Sequence, residues 1–214
     1  RYGHRPSETA LPHSGHFPGT PLPNAATALG VQGPLARTAE DLELAFDVVA
    51  GPDVGENVGW RLDVPPARHA RLADFRVAVL PPIGWQPVDH EILAALERIA
   101  GDLSRAGARV EEAQPVGFGD MRDYYALYLS LLTVMVSRGQ PEAERHREAA
   151  ELRARGDEFD LAAAWGLTAS AADYLAWHGR REEYRAAYRA FFRDWDVLLA
   201  PITIVTAFPH TQAP

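Results

Sequence analysis

The sequence predicts an α/β fold, and two stretches carry that prediction. Between residues 76 and 112, Arg76-Val77-Ala78-Val79-Leu80 reads as a short apolar strand. Ile92, Leu93, Leu96, Ile99, Ala100 and Leu103 then fall at helical spacing, and Ala108-Arg109-Val110-Glu111-Glu112 returns as a second strand. Strand, helix and strand of these lengths make a βαβ crossover, which implies parallel pairing and a right-handed connection. The second stretch, residues 38–50, is a helix with both ends written into it. Thr38 is an N-cap whose hydroxyl can accept from the Asp41 amide. Glu40 and Asp41 put negative charge in the first turn, and Leu42, Ala45, Phe46 and Val49 share one face. Gly51 and Pro52 stop it.

Composition narrows the functional classes. At 214 residues, 47% hydrophobic and 23% charged, the chain can bury a core and has the make-up of a soluble globular protein. A net charge of −8 argues against nucleic acid as a partner. Cysteine is absent, which excludes disulfides, thiolate metal sites and a cysteine nucleophile. No apolar run approaches the ~20 residues that span a bilayer, so no membrane role and a cytoplasmic location are expected. All 21 of the Lys+Arg total are arginines. A mechanism that needs a neutral lysine as base cannot be completed by this chain, because arginine stays protonated at physiological pH.

In chain order, residues 1–30 are a proline-rich loop, with Pro6, Pro12, Pro18, Pro21 and Pro23 breaking any regular element. His13 and His16 have a metal-like spacing. They lack a third strong ligand and a fixed scaffold, so they read as exposed loop histidines and no metal site is expected. Ser14 has no strand-turn-helix setting and is not credited as a nucleophile. After the βαβ unit, residues 120–195 form a helical region. Met121, Tyr125, Tyr128, Leu132 and Met135 share one face of its first helix. The charged stretch from Gln140 to Asp157 reads as a solvated helix with weak ion pairs. Phe159 to Ala169 could seat a short helix or turn. Tyr174, Trp177, Tyr184, Tyr188, Phe191 and Trp195 give the last helix a core-facing stripe. Residues 196–204 read as a terminal apolar strand.

Gly33-Pro34-Leu35-Ala36-Arg37-Thr38, a following acid and the Gly51-Pro52-Asp53 exit resemble the amidase-signature family of hydrolases. Gly3-His4-Arg5-Pro6-Ser7 is similar to that family's Gly-apolar-Lys-Pro-Ser/Thr segment, with His4 and Arg5 departing from it. Asp196-Val197-Leu198-Leu199-Ala200-Pro201, Thr203 and Ala207-Phe208-Pro209-His210 look like the family's late strand and the proline-containing segment after it. The resemblance implies a mixed β-sheet flanked by helices and a single domain, of which residues 1–214 would be the portion following the nucleophile. It also implies hydrolysis of a small-molecule carboxamide by a serine, activated by a lysine acting through a second serine, without a cofactor. On that alignment those three residues lie upstream of Arg1, no catalytic residue is assigned here, and the isolated chain is expected to be inactive. The family places a helix near the substrate cleft where this chain has residues 121–137, which makes Tyr125, Tyr128 and Leu132 candidates for the pocket wall. Ile202, just past the late strand, is the candidate facing them. Core packing is the alternative for each of the four. Two other classes stay open: a non-catalytic binding or scaffold module with the same fold, and, more weakly, a loop-histidine metallohydrolase. Oligomeric state is not legible.

Overall fold

The structure is a computed structural model and describes residues 2–14 and 28–210. His16 and the prolines between it and Asn24 lie outside the described residues. Two compact units divide the chain, residues 1–66 with 129–169 and residues 67–128 with 170–214.

In the first unit, β1 (Tyr2–Gly3) pairs antiparallel with β2 (Leu35–Ala36), and the His4 amide extends the ladder to the Pro34 carbonyl at 3.1 Å. This close approach explains Gly33, where a Cβ would collide with the His4 carbonyl oxygen. α1 (Ala39–Val49) follows, with the Thr38 hydroxyl accepting from the Asp41 amide at 3.0 Å. The same unit holds α4 (Glu142–Arg155) and α5 (Glu158–Leu167), which pack through Ala149, Ala164 and Leu167. Alanines at the contact let the two backbones approach closely. Gly156, at φ 75°, ends α4, and Asp157 caps α5 by accepting from the Phe159 and Asp160 amides. The charged face of α4 is more than a solvated surface. Arg145 donates to the Leu167 carbonyl at 3.0 Å, and Arg153 donates to the Thr168 hydroxyl at 2.8 Å, so two arginines serve the carboxyl end of α5.

The second unit holds a three-stranded parallel sheet in the order β4-β3-β5, with β3 (Arg76–Val79) in the centre, β4 (Arg109–Glu112) and β5 (Val197–Leu199). Val77 stands opposite Val110 on one side and Val197 on the other. α2 (His90–Arg105) makes the crossover from β3 to β4, capped by Asp89 and closed by Gly107 at φ 95°. Val77 and Ala78 are buried, as expected of a central parallel strand. α3 (Met121–Ser137) starts in this unit and ends in the other. α6 (Ala171–Asp194) opens on a capping box between Ser170 and Asp173 and leads directly into β5. Its Tyr184 and Phe191 are buried. Tyr184 and Tyr188 close on Phe118 at ring distances of 4.9 and 5.2 Å. Burial pushes the Tyr188 phenol up to about 12, with Tyr124 beside it adding to the shift.

Parallel and antiparallel pairing therefore both occur, but in separate sheets. No helix of the described residues is long and apolar enough to cross a membrane.

Candidate functional site

Prolines decide where the sheet stops. The Leu80 amide donates to the Leu199 carbonyl at 2.9 Å, and the next residues are Pro81 and Pro82, which have no N–H to continue the ladder. On β5, Pro201 ends the pairing at the same level. The two chains diverge there and leave a hollow of about 830 Å³ at the carboxyl ends of β3 and β5. Open α/β sheets bind ligands in this position.

Val79, Leu80 and Val110 form the sheet side of the hollow, and Leu93, Leu96 and Ala100 present the face of α2 to it. The rim comes from Ile83, Gly84 and Gln86 on one loop and from Ile202, Thr203 and Ile204 on the other. Asp89 joins the two loops. Its amide donates to the Ile204 carbonyl at 2.9 Å, while its carboxylate accepts from the Glu91 amide at 2.9 Å and the Thr206 hydroxyl at 3.5 Å. Trp85 stands on the first loop, with the Arg122 guanidinium 5.0 Å above its ring and Tyr125 5.9 Å from it.

Every charged side chain lining the hollow is acidic: Glu97, Glu111 and Glu112. Arg109 holds the Glu111 carboxylate at 2.7 Å, which lowers its pKa. Neither serine nor lysine lines the hollow. The Thr203 hydroxyl donates to the Val205 carbonyl at 3.1 Å. These walls can hold and orient a ligand, but they offer no nucleophile with a base beside it.

A second polar centre lies at the base of the sheet. Asp196, with a side chain 3% exposed, accepts from Arg76 through its guanidinium at 3.0 and 3.1 Å and its amide at 2.9 Å, and from Arg68 at 2.7 Å. His69 Nε2 lies 3.3 Å away without hydrogen-bond alignment. The Arg76 guanidinium, helped by its amide and by Arg68, holds the Asp196 carboxyl well below the usual carboxylate range. Asp196 braces the strands and does not line the hollow. In the first unit, Asp53 accepts from the Ser14 hydroxyl and from the His13 amide at 2.8 Å, which lowers its pKa, the Ser14 bond contributing most. Only the backbone of His13 takes part, and the Ser14 hydroxyl donates to the Asp53 carboxylate. Among the described residues no group of three His, Cys, Asp or Glu could hold a metal ion.

Of the four wall candidates, Ile202 borders the hollow. It is fully exposed, so it is not a core residue. Tyr125 and Tyr128 stack on each other at 6.0 Å but do not line the hollow, and neither does Trp85, the ring beside Tyr125. Leu132 lies in the first unit, beside a shallower hollow of about 580 Å³ with Leu29, Met135 and Val136. The sequence reading passed over Ile83, Gln86, Glu97 and Ile204. The signal that could have found them was the pair of proline stops at Pro81-Pro82 and Pro201, which mark where two neighbouring strands end together.

A profile of the Amidase family matches residues 1–214. The chain belongs to the amidase family. Among curated proteins it is 28% identical over 206 residues to an indoleacetamide hydrolase of Bradyrhizobium diazoefficiens, covering 94% of this chain and 37% of that protein. It is 28% identical over 182 residues to AtzE, a component of the 1-carboxybiuret hydrolase of a Pseudomonas species, covering 82% and 36%. It is also 30% identical over 212 residues to a glutamyl-tRNA(Gln) amidotransferase subunit of Thermus thermophilus, covering 86% and 42%. This amidase-family chain thus spans about two fifths of the length of these relatives. The crystal structure of the corresponding amidotransferase subunit from Thermotoga maritima shares the fold, with a TM-score of 0.55, 19% identity, and coverage of 82% of this chain and 38% of that one.

Proposed function

We propose that the protein carrying this chain hydrolyses the C–N bond of a small-molecule carboxamide, and that residues 1–214 supply pocket wall and support rather than the reacting groups. The observation that carries this reading is the end-to-end family match, found in a chain that contains no lysine. In the reaction, the oxygen of water ends on the acyl carbon, the C–N bond breaks and the nitrogen leaves as an amine that is protonated at neutral pH. A serine activated through a second serine by lysine would perform it, as the family resemblance implies, with no cofactor. Ile202 is the wall residue on this reading, and Tyr125 stays a wall candidate although it does not line the hollow. Tyr128 and Leu132 stay as further wall candidates. The whole of residues 1–214 is taken as part of one catalytic domain.

The test compares amide cleavage by the full-length protein and by the 214-residue chain. Turnover of aliphatic or aromatic amides is expected from the former, and background from the latter. A robust rate from the chain alone, abolished by Ser7→Ala or Ser14→Ala, would overturn the assignment of the reacting groups elsewhere. A full-length protein that binds amides without cleaving any would favour the second reading, a binding or scaffold module. The observation on that side is the hollow with walls and no nucleophile.

A further inference from the structure

We propose that the hollow at the carboxyl ends of β3 and β5 binds an apolar organic cation, an alkyl or arylalkyl ammonium group. This deepens the amidase reading by naming the class of group held there, the ammonium product that forms when the C–N bond breaks. It rests on that reading only for the cleavage itself, and binding is measured separately.

Three observations meet in this one place. The volume, about 830 Å³, is that of a site for a small organic molecule. Its walls, Leu93, Leu96, Val110 and Ile204 among them, are aliphatic and would bury a hydrocarbon body. Its charges are of one sign. Glu97 stands on α2 and Glu112 at the end of β4, and no arginine or histidine lines the hollow. Glu111 is neutralised by Arg109, whereas Glu97 and Glu112 have no ion-pair partner among the described residues. Their exposure matters: both stay hydrated when the hollow is empty, so neither needs a counter-charge to be stable. A ligand with an apolar body and a positive head would satisfy walls and rim together. A carboxylate would meet two like charges at the mouth, in a chain whose net charge is already −8.

The probes are three six-carbon molecules of one shape, hexylammonium, 1-hexanol and hexanoate, titrated into the full-length protein by calorimetry. Hexylammonium is expected to bind roughly fivefold tighter than hexanol, given the size of exposed charge pairs, and hexanoate weaker than both. Replacing Glu97→Gln and Glu112→Gln together should bring hexylammonium to the level of hexanol and leave hexanol unchanged. That unchanged value also shows that the variant is folded. Raising the salt concentration should weaken hexylammonium alone. Hexanoate binding as tightly as hexylammonium, or a double variant with no effect on it, would overturn the proposal. So would concentration-dependent dimerisation that excludes all three probes, which would give the hollow to a second copy. Tight binding of a lysine-rich amphipathic peptide that displaces hexylammonium would give it to a protein partner instead. A protein that cleaves amides yet ignores hexylammonium loses this inference alone. One that binds hexylammonium and cleaves nothing loses the amidase reading alone.

Discussion

Between α4 and α5, Ala149 and Ala164 are wholly buried and Leu167 is 1% exposed, whereas beyond the ends of β3 and β5 Ile202 is fully exposed beside open space. The hairpin uses small side chains, so its backbones touch and arginines cover the carbonyls at its end. The sheet carries larger aliphatic side chains but stops at prolines, which forbid another ladder bond and leave those side chains facing a gap. Close packing and a ligand-sized hollow thus arise from opposite choices of residue size and backbone donor. The first region should be sensitive to added atoms, and the second should tolerate almost anything that keeps its loops apart.

The largest effect is expected from neither the hairpin nor the hollow rim but from the brace beneath the sheet. Asp196→Ala strands the Arg76 amide and two guanidinium groups. Arg68 and Arg76 reach solvent, so the loss should be about 2–3 kcal/mol, below that of a fully enclosed pair. Its pH dependence has a definite sign. The folded pKa lies below the unfolded value near 3.9, so the contribution is complete above that value and is lost as pH falls through it toward the folded pKa. Urea titrations from pH 7 to pH 3 should show wild-type stability falling at the acid end, with a shallower fall in Asp196→Asn. Equal slopes would remove Asp196 from the account.

Next is Gly166→Ala in α5. Its Cβ would lie 2.5 Å from the Ser130 carbonyl oxygen and 2.7 Å from Thr133 Cβ, so α3 and α5 must separate. Overpacking of this kind costs about 1–3 kcal/mol and should outweigh the ~1 kcal/mol that alanine gains over glycine in a helix. A raised melting temperature would show that the two helices part at little cost. The smallest effect on stability is expected from Ile202→Ala, within about 0.5 kcal/mol because the side chain packs on nothing. On the proposed amidase activity, the same change in the full-length protein should reorder kcat/KM between small and bulky amides. An unchanged order would take Ile202 out of the pocket wall.

Much of the framework could be read from the sequence because local chemistry fixes it. Thr38 and Asp89 are caps that any chain would use at those points, and the β3-α2-β4 spacing leaves parallel pairing as the natural outcome. The two-residue pairing of β1 with β2 was not legible, since two residues make no periodic pattern. Nor was the charge of α4 informative. Arg145 and Arg153 look like any exposed arginine until the end of α5 is beside them. Of the four wall candidates that the family pattern suggested, Ile202 lies on the lining of the hollow and Tyr125, Tyr128 and Leu132 do not. The hollow's other walls come from α2 and β4, and only the pairing of β3 with β5 brings the second loop against them. Asp196 read as the start of a strand, and its partners Arg68 and Arg76 are 128 and 120 residues away.

That last separation bears on how the chain is made. β3 finds β4 soon after synthesis, but its other edge waits for β5, about 120 residues later. At roughly 5–20 residues per second the wait is on the order of 6–24 s. Until then the amides and carbonyls of Val77 to Val79 on that side lack the β5 partner they have in the folded sheet, and an unpaired strand edge is the kind that recruits other chains. Arg68 and Arg76, which hold Asp196 in the folded sheet, are made well before it. Two like charges on a strand edge disfavour its pairing with a copy of itself, and the carboxylate that binds them arrives one residue ahead of β5 itself.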